Sequence, residues 1–207
     1  MTLAADMILL AFDEEGRKLP VRQSLAPAVR GALLAELLAD GGLVDEDGTA
    51  RASGEAPRDA ALRHVWQRVG AEPGRKWLHW VRKDGRESIH EVLRGMAKDG
   101  LLEQSTSRVL GVFPLNRAEL TPAGLAAAAE VRASVVAAAE SGGTGTGGDR
   151  FALLTGLAHA GAQLGTALPS GRRRELKPRL TALSEDAAPV SAAVRRAVQD
   201  LQGAAVS

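Results

Sequence analysis

The 207-residue chain contains no cysteine and no tyrosine, and only three phenylalanines and three tryptophans. The missing thiols exclude disulfides, thiolate metal sites and cysteine nucleophiles. With aromatics at 3% and hydrophobic residues at 45%, alanine and leucine must build the interior. Those residues favour packed helices over a β-sandwich, which draws on aromatic and β-branched side chains. An excess of one charge is also missing: 26 Lys+Arg against 25 Asp+Glu leave a formal charge of +1. Bulk charge gives no reason to expect nucleic acid, so an anion site must be a local cluster. No uninterrupted, strongly apolar run approaches the length of about 18 residues that reads as a membrane span. Residues 1–10 are apolar but carry Asp6 and no basic leader, so no signal peptide is expected. The expectation is a cytoplasmic protein whose membrane contact, if any, is peripheral and at the inner face. Heavy use of alanine, glycine and arginine fits a GC-rich bacterial genome.

The patterning predicts a mostly α-helical fold with small β-hairpins, one domain over residues 1–207 with a flexible Gly/Thr linker at 141–148. Helices are expected at 3–12, 25–39, 59–69, 77–81, 86–98, 122–140, 149–165, 170–183 and 190–201. The clearest is 86–98, where Ile89, Val92, Leu93 and Met96 share one face. Thr121-Pro122 is a cap followed by proline at the first helical position, and Asp149 and Ser170 are read as further caps. A short edge strand is expected at 17–21, limited by Pro20. One hairpin is expected around Asp47-Gly48. A second joins 101–104 to 109–113 through a turn at 105–108.

Few residues point to chemistry. Gly143, Gly145 and Gly148 satisfy G-x-G-x-x-G, but a helix rather than a strand precedes them and the linker reading prevails. Of the four histidines, His64, His79, His90 and His159, none lies four residues from another. No helical zinc pair is therefore expected, and no metal or other cofactor. His159, among Leu157, Ala158 and Ala160, reads as a packed core histidine. No catalytic constellation stands out, and the chain is not expected to be an enzyme.

Two arginines are more informative. Arg30 lies on a helix that is apolar almost all round, where a guanidinium is costly unless it is paired or faces a site. It is either a structural ion pair, with Glu36 or a distant carboxylate, or an anion-binding group at the edge of the core. Arg86 starts its helix, the end that disfavours a cation unless the arginine and the free N–H groups share an anion. The other reading is a solvated arginine beside Lys83. The run Arg172, Arg173, Arg174, Lys177 and Arg179 is a solvated face or an electrostatic anchor, each charge contributing about 1 kcal/mol near an anionic bilayer. Val109, Leu110, Val112 and Phe113 crowd the tip of the second hairpin. Apolar residues on both faces of a short ribbon cannot all enter one core, so either one face packs on a neighbouring helix or the tip enters lipid or another subunit.

Four stretches in order resemble the Golgi phosphoprotein 3 family: residues 9–13, the helix around Ala28-Val29-Arg30-Gly31, the segment Lys98-Asp99-Gly100-Leu101-Leu102, and Asp149-Arg150 running into Leu157-Ala158-His159-Ala160. The resemblance covers about residues 3–202. It implies a mostly helical fold that binds phosphatidylinositol 4-phosphate at a membrane surface, aided by a hydrophobic hairpin. It places headgroup contacts at Arg30 and Arg86. It also places them at Val21, where the family has tryptophan, and at Ile89, where the family has a second arginine. The membrane-contacting hairpin maps onto Val109, Leu110, Val112 and Phe113. The implied partner is an anionic phospholipid or phosphoinositide, with no nucleic acid. The alternative is a winged-helix transcription regulator, which residues 59–140 resemble. Against it stand near-neutral charge and few base-reading side chains on helix 86–98.

Overall fold

The computed structural model describes all residues except 14, 16, 21–22, 110–112, 144–147 and 205–207, and only the backbone at 104–109, 113–117 and 148–149. Its first helix, α1 (Leu3–Ala11), is buried along its whole length. Thr2 starts it, its hydroxyl accepting from Ala5 N at 3.2 Å and satisfying one N–H that the helix cannot. Helix α2 (Leu25–Ala39) packs on α1 and is almost as buried. A helix buried all round has no polar stripe, so composition rather than periodicity reveals these two. They form the centre around which the other elements pack.

Strands β1 (Leu43–Glu46) and β2 (Thr49–Ala52) then pair antiparallel. Asp47 and Gly48 both have positive φ between them, as a tight hairpin requires. Helices α3 (Ala60–Ala71), α4 (Trp77–Arg82) and α5 (Gly85–Lys98) follow. Asp59 caps α3 by accepting from Leu62 N at 3.0 Å. In α5 the predicted face of Ile89, Val92, Leu93 and Met96 is buried. Strands β3 (Leu102–Val109) and β4 (Phe113–Leu120) form the second hairpin. After it come α6 (Pro122–Ser141), α7 (Gly148–Ala160), α8 (Ser170–Glu175), α9 (Lys177–Asp186) and α10 (Val190–Ala204). The chain is thus 66% helical, with ten helices and two small sheets among the described residues.

One apolar cluster runs from α1 through α2, α6 and α7 to α10. Arg150 on α7 fastens this centre by donating to Asp6 Oδ2 at 2.6 and 3.1 Å and to Met1 O at 2.9 Å. It also stands 3.6 Å from Glu36. Small residues let the later helices approach closely. A Cβ on Gly156 of α7 would lie 2.2 Å from Leu183 O of α9.

Several sequence expectations need correction. Residues 17–20 form no strand, and Val21 lies outside the described residues. The turn expected at 105–108 is instead strand, pairing with 114–117, so the hairpin is longer and its tip later. Gly148 already opens α7, which puts Asp149 inside the first turn. That helix stops at Ala160, where Gln163 N bonds back to Ala158 O at 2.8 Å around Ala162 at φ 56, a left-handed cap. The helix expected over 170–183 is two, because Pro178 cannot donate to the ladder of α8 and instead starts α9. Helix α6 holds no uninterrupted apolar run, because Glu130 and Arg132 break it. It is nonetheless 20 residues long and contains an 18-residue window with a mean hydropathy of 1.2, long and apolar enough to cross a membrane by length and composition alone. Its Ala128, Val131, Val135 and Ala139 are buried in the fold.

Candidate functional site: a cleft between two helix N-termini

Helices α2 and α5 meet near their N-terminal ends and open a cleft of about 990 Å³. Its walls are Gln23, Ala26 and Pro27 from the start of α2, Val81 and Arg82 from α4, and residues 84–87 with Ile89 at the start of α5. Ala197, Asp200, Leu201 and Ala204 of α10 close the far side. Gly85 permits the approach: a Cβ there would sit 3.1 Å from the Cβ of Ala26.

Both helix starts present backbone N–H groups that no side chain caps. The residues before them, Ser24 and Asp84, are good capping types, but their side chains are turned elsewhere. Ser24 Oγ accepts from Gln163 Nε2 at 2.9 Å. Asp84 Oδ2 accepts from Arg68 Nε at 3.3 Å, and Asp84 itself has φ 57. By contrast α1, α3 and α6 are each capped by the preceding threonine or aspartate. Two uncapped N-termini bring their partial positive charge to one place, and α5 adds the N–H groups of its first turn, whereas Pro27 removes one donor from α2, an arrangement that can accept an anion.

Arg86 lines this cleft, is exposed, and has no hydrogen-bond or ion-pair partner among the described residues. Ile89, one helical turn further, lines it too and is 8% exposed. Arg30 is placed differently. It is wholly buried, behind the wall formed by the first turn of α5. Its Nε donates to Trp80 O at 3.1 Å and its Nη1 to Ser88 Oγ at 3.2 Å. Ser88 passes the bond on to Asp84 O at 3.0 Å. Nη2 is buried with no partner. The expected structural pair with Glu36 does not form, because Glu36 accepts from Leu3 N at 2.7 Å and faces Arg150. Burial pulls the Arg30 pKa down to about 10, with Asp84 and Glu87 opposing and Arg68 reinforcing the fall. The group therefore stays cationic at neutral pH. Arg30 thus joins α2 to the α4–α5 connection, the segment that carries Arg86 into the cleft.

The other candidates fall elsewhere. Val21, Leu110 and Val112 lie outside the described residues. Register sets Val109 opposite Phe113 as the last pair before the tip, and nothing further is described of these two side chains. The basic run on α8 and α9 does not line the cleft. Arg172 pairs with Glu140 and Glu175, and Arg179 donates to Glu140 O. His159 is half-buried on α7, and burial, with Arg195, Lys177 and Arg173 nearby, pushes its pKa down.

Sequence reasoning missed Asp84, Glu87, Ser88, Arg82 and Asp200. The diverted caps and the arrival of α10 are long-range facts with no local signal. At the cleft edge lies a cluster of side chains close enough together that it could hold a cation. His64, Asp84 and Glu87 each offer a ligand atom within 4.8 Å of one another, with Arg68 competing for Asp84. Histidine spacing within one helix does not test a set drawn from three parts of the chain.

A mostly helical protein with a cleft between two helix starts is the class that fold and site define. The family model for Golgi phosphoprotein 3 (GPP34) matches residues 3–201, and the chain belongs to that family. A search of curated proteins found no match. The family match takes in the C-terminal third, which the winged-helix alternative over residues 59–140 left without an account.

Proposed function

We propose that this protein is a non-enzymatic peripheral membrane protein that binds an anionic phospholipid headgroup in the cleft between α2 and α5. Phosphatidylinositol 4-phosphate is the ligand to which family membership points. The observation that carries the reading is the convergence of two uncapped helix N-termini with the unpartnered guanidinium of Arg86. A phosphate there would accept charge-assisted hydrogen bonds from Arg86 and from backbone N–H groups. Arg30 acts mainly as a positioning residue, because its side chain is sealed behind Ser88 and holds the loop that aims Arg86. Its buried charge also raises the potential at the cleft.

The hairpin tip and the exposed members of the basic run would add attachment to the bilayer that does not depend on the headgroup. Localisation at the inner face of the membrane follows from that reading, as does the possibility of self-association through the hairpin. Flotation with neutral vesicles, with and without an anionic lipid, tests it. Binding should require the anionic lipid and should weaken roughly tenfold or more in Arg86→Ala, the loss of a hydrogen bond to a charged group. Equal flotation with neutral vesicles, or an Arg86→Ala protein that floats like the parent, would overturn it.

A further inference from the structure

A second group of cations lies away from the cleft, around His159 near the end of α7. Arg173 of α8, Lys177 of α9 and Arg195 of α10 approach it from three other elements. Arg195 reaches α9 by donating from Nη2 to Ser184 Oγ at 2.7 Å. A Cβ on Gly156, almost one helical turn before His159, would lie 3.0 Å from Ser184 N, so α7, α9 and α10 meet here. None of the three cations forms an ion pair among the described residues. Their neighbours in sequence have taken the carboxylates: Arg172 pairs with Glu140 and Glu175, and Arg196 with Asp200. Arg173 Nε is buried with no hydrogen-bond partner, a cost that a bound acceptor would remove. Burial first, then Arg195, Lys177 and Arg173, pull the His159 pKa down, and no carboxylate opposes them.

We propose that Arg173, Lys177, Arg195 and His159 form a second anion site, separate from the cleft, that takes a phosphomonoester. Such a group brings close to two negative charges and three terminal oxygens, whereas one carboxylate would leave cations in excess. Arg173 Nε, the free nitrogens of Arg195 and the Lys177 ammonium donate charge-assisted hydrogen bonds to those oxygens. His159 supplies a donor that titrates. Its protonation adds a further positive charge, so anion binding and protonation favour each other. Lys177 is exposed, and Arg173, Arg195 and His159 are partly so, which leaves the group open to solvent. A soluble phosphate and the phosphomonoester of a lipid headgroup offer the same chemistry.

The test follows the His159 imidazole by NMR across pH in the intact chain, in chloride and then in inorganic phosphate at the same ionic strength. Phosphate should raise the His159 pKa by about one unit, and the effect should saturate. In the Arg173→Gln/Lys177→Gln double variant the phosphate-free value should itself rise, because two cations are gone, and the response to phosphate should be largely lost. Lys177→Gln alone changes only an exposed side chain and should weaken phosphate affinity by about fivefold, the scale of one exposed charged contact. Flotation in the Arg86→Ala background, which sets the cleft aside, separates the two sources. Loss of binding to phosphatidic acid vesicles on adding the double substitution would assign a lipid phosphomonoester. Unchanged flotation, with the His159 response intact, would assign a soluble phosphate. No response of His159 in the parent, or an equal response in the double variant, would overturn the site. The headgroup reading, tested by Arg86→Ala against the parent, stands or falls separately.

Discussion

Arg30 and Arg86 are both arginines near one cleft, yet their surroundings give them different work. Arg30 has traded water for two neutral acceptors, Trp80 O and Ser88 Oγ, and pairs with no carboxylate among the described residues. Truncation to alanine would empty a buried volume and strip both acceptors of their donor. Arg30→Ala is therefore predicted to lower stability by roughly 2–4 kcal/mol in a denaturant titration. Arg30→Met keeps most of the volume and removes the desolvated charge, so it should cost clearly less than alanine. If headgroup binding nevertheless falls in the methionine variant, the buried charge and its bonds matter to the cleft rather than to folding alone. Arg86, exposed and unpaired, should behave in the opposite way. Arg86→Ala should unfold within about 0.5 kcal/mol of the parent. The sequence made both arginines visible, one by its apolar helix and one by its place at a helix start. It could not show that only Arg86 faces the cleft, because the wall between them is set by Ser88 and by the packing of α4 and α5 on α2.

The helices themselves were legible wherever a local rule dominated. Thr121-Pro122 announced α6, and the face of Ile89, Val92, Leu93 and Met96 announced α5. Boundaries failed where a competing local or tertiary interaction took over. Pro178 cut one expected helix into α8 and α9, and pairing across β3 and β4 absorbed residues that polar composition had marked as a turn. Close approach is the other feature hidden from periodicity. Gly156 lets α7 lie against the backbone of α9, where a Cβ would meet Leu183 O at 2.2 Å and Leu183 C at 2.7 Å. Backbone atoms cannot step aside as a flexible side chain can. Gly156→Ala should destabilise the fold by roughly 1–3 kcal/mol despite the better helix propensity of alanine. Gly165→Ala, with nothing within 4 Å, is the control. Equal unfolding midpoints for the two variants would show that α7 and α9 can separate at no cost.

Across the whole molecule, one buried and one partly buried carboxylate link stability to pH. Asp6 and Glu36 both have their pKa pushed up, by burial first, with Arg150 pulling back on each and the Leu3 N–H pulling back on Glu36. A pKa above the unfolded value means the folded state favours the protonated acid. That contribution is complete below the unfolded carboxylate range and is lost as pH rises through the raised folded values. Asp6→Asn should therefore flatten the acid-to-neutral dependence of the melting temperature, and a variant with the parent's slope would assign the dependence elsewhere. The same long-range view sets the geometry of membrane contact. The cleft lies at the N-terminal end of α5, whereas the hairpin springs from its C-terminal end, about 20 Å away along the helix axis. Headgroup capture and hairpin attachment are thus separable functions, and the cleft carries the central claim. Its most direct measurement is the affinity of parent and Arg86→Ala proteins for vesicles containing an anionic phospholipid, with unfolding followed in parallel. The account predicts a loss of roughly tenfold or more in affinity with stability unchanged. Equal affinity in the two folded proteins would contradict it.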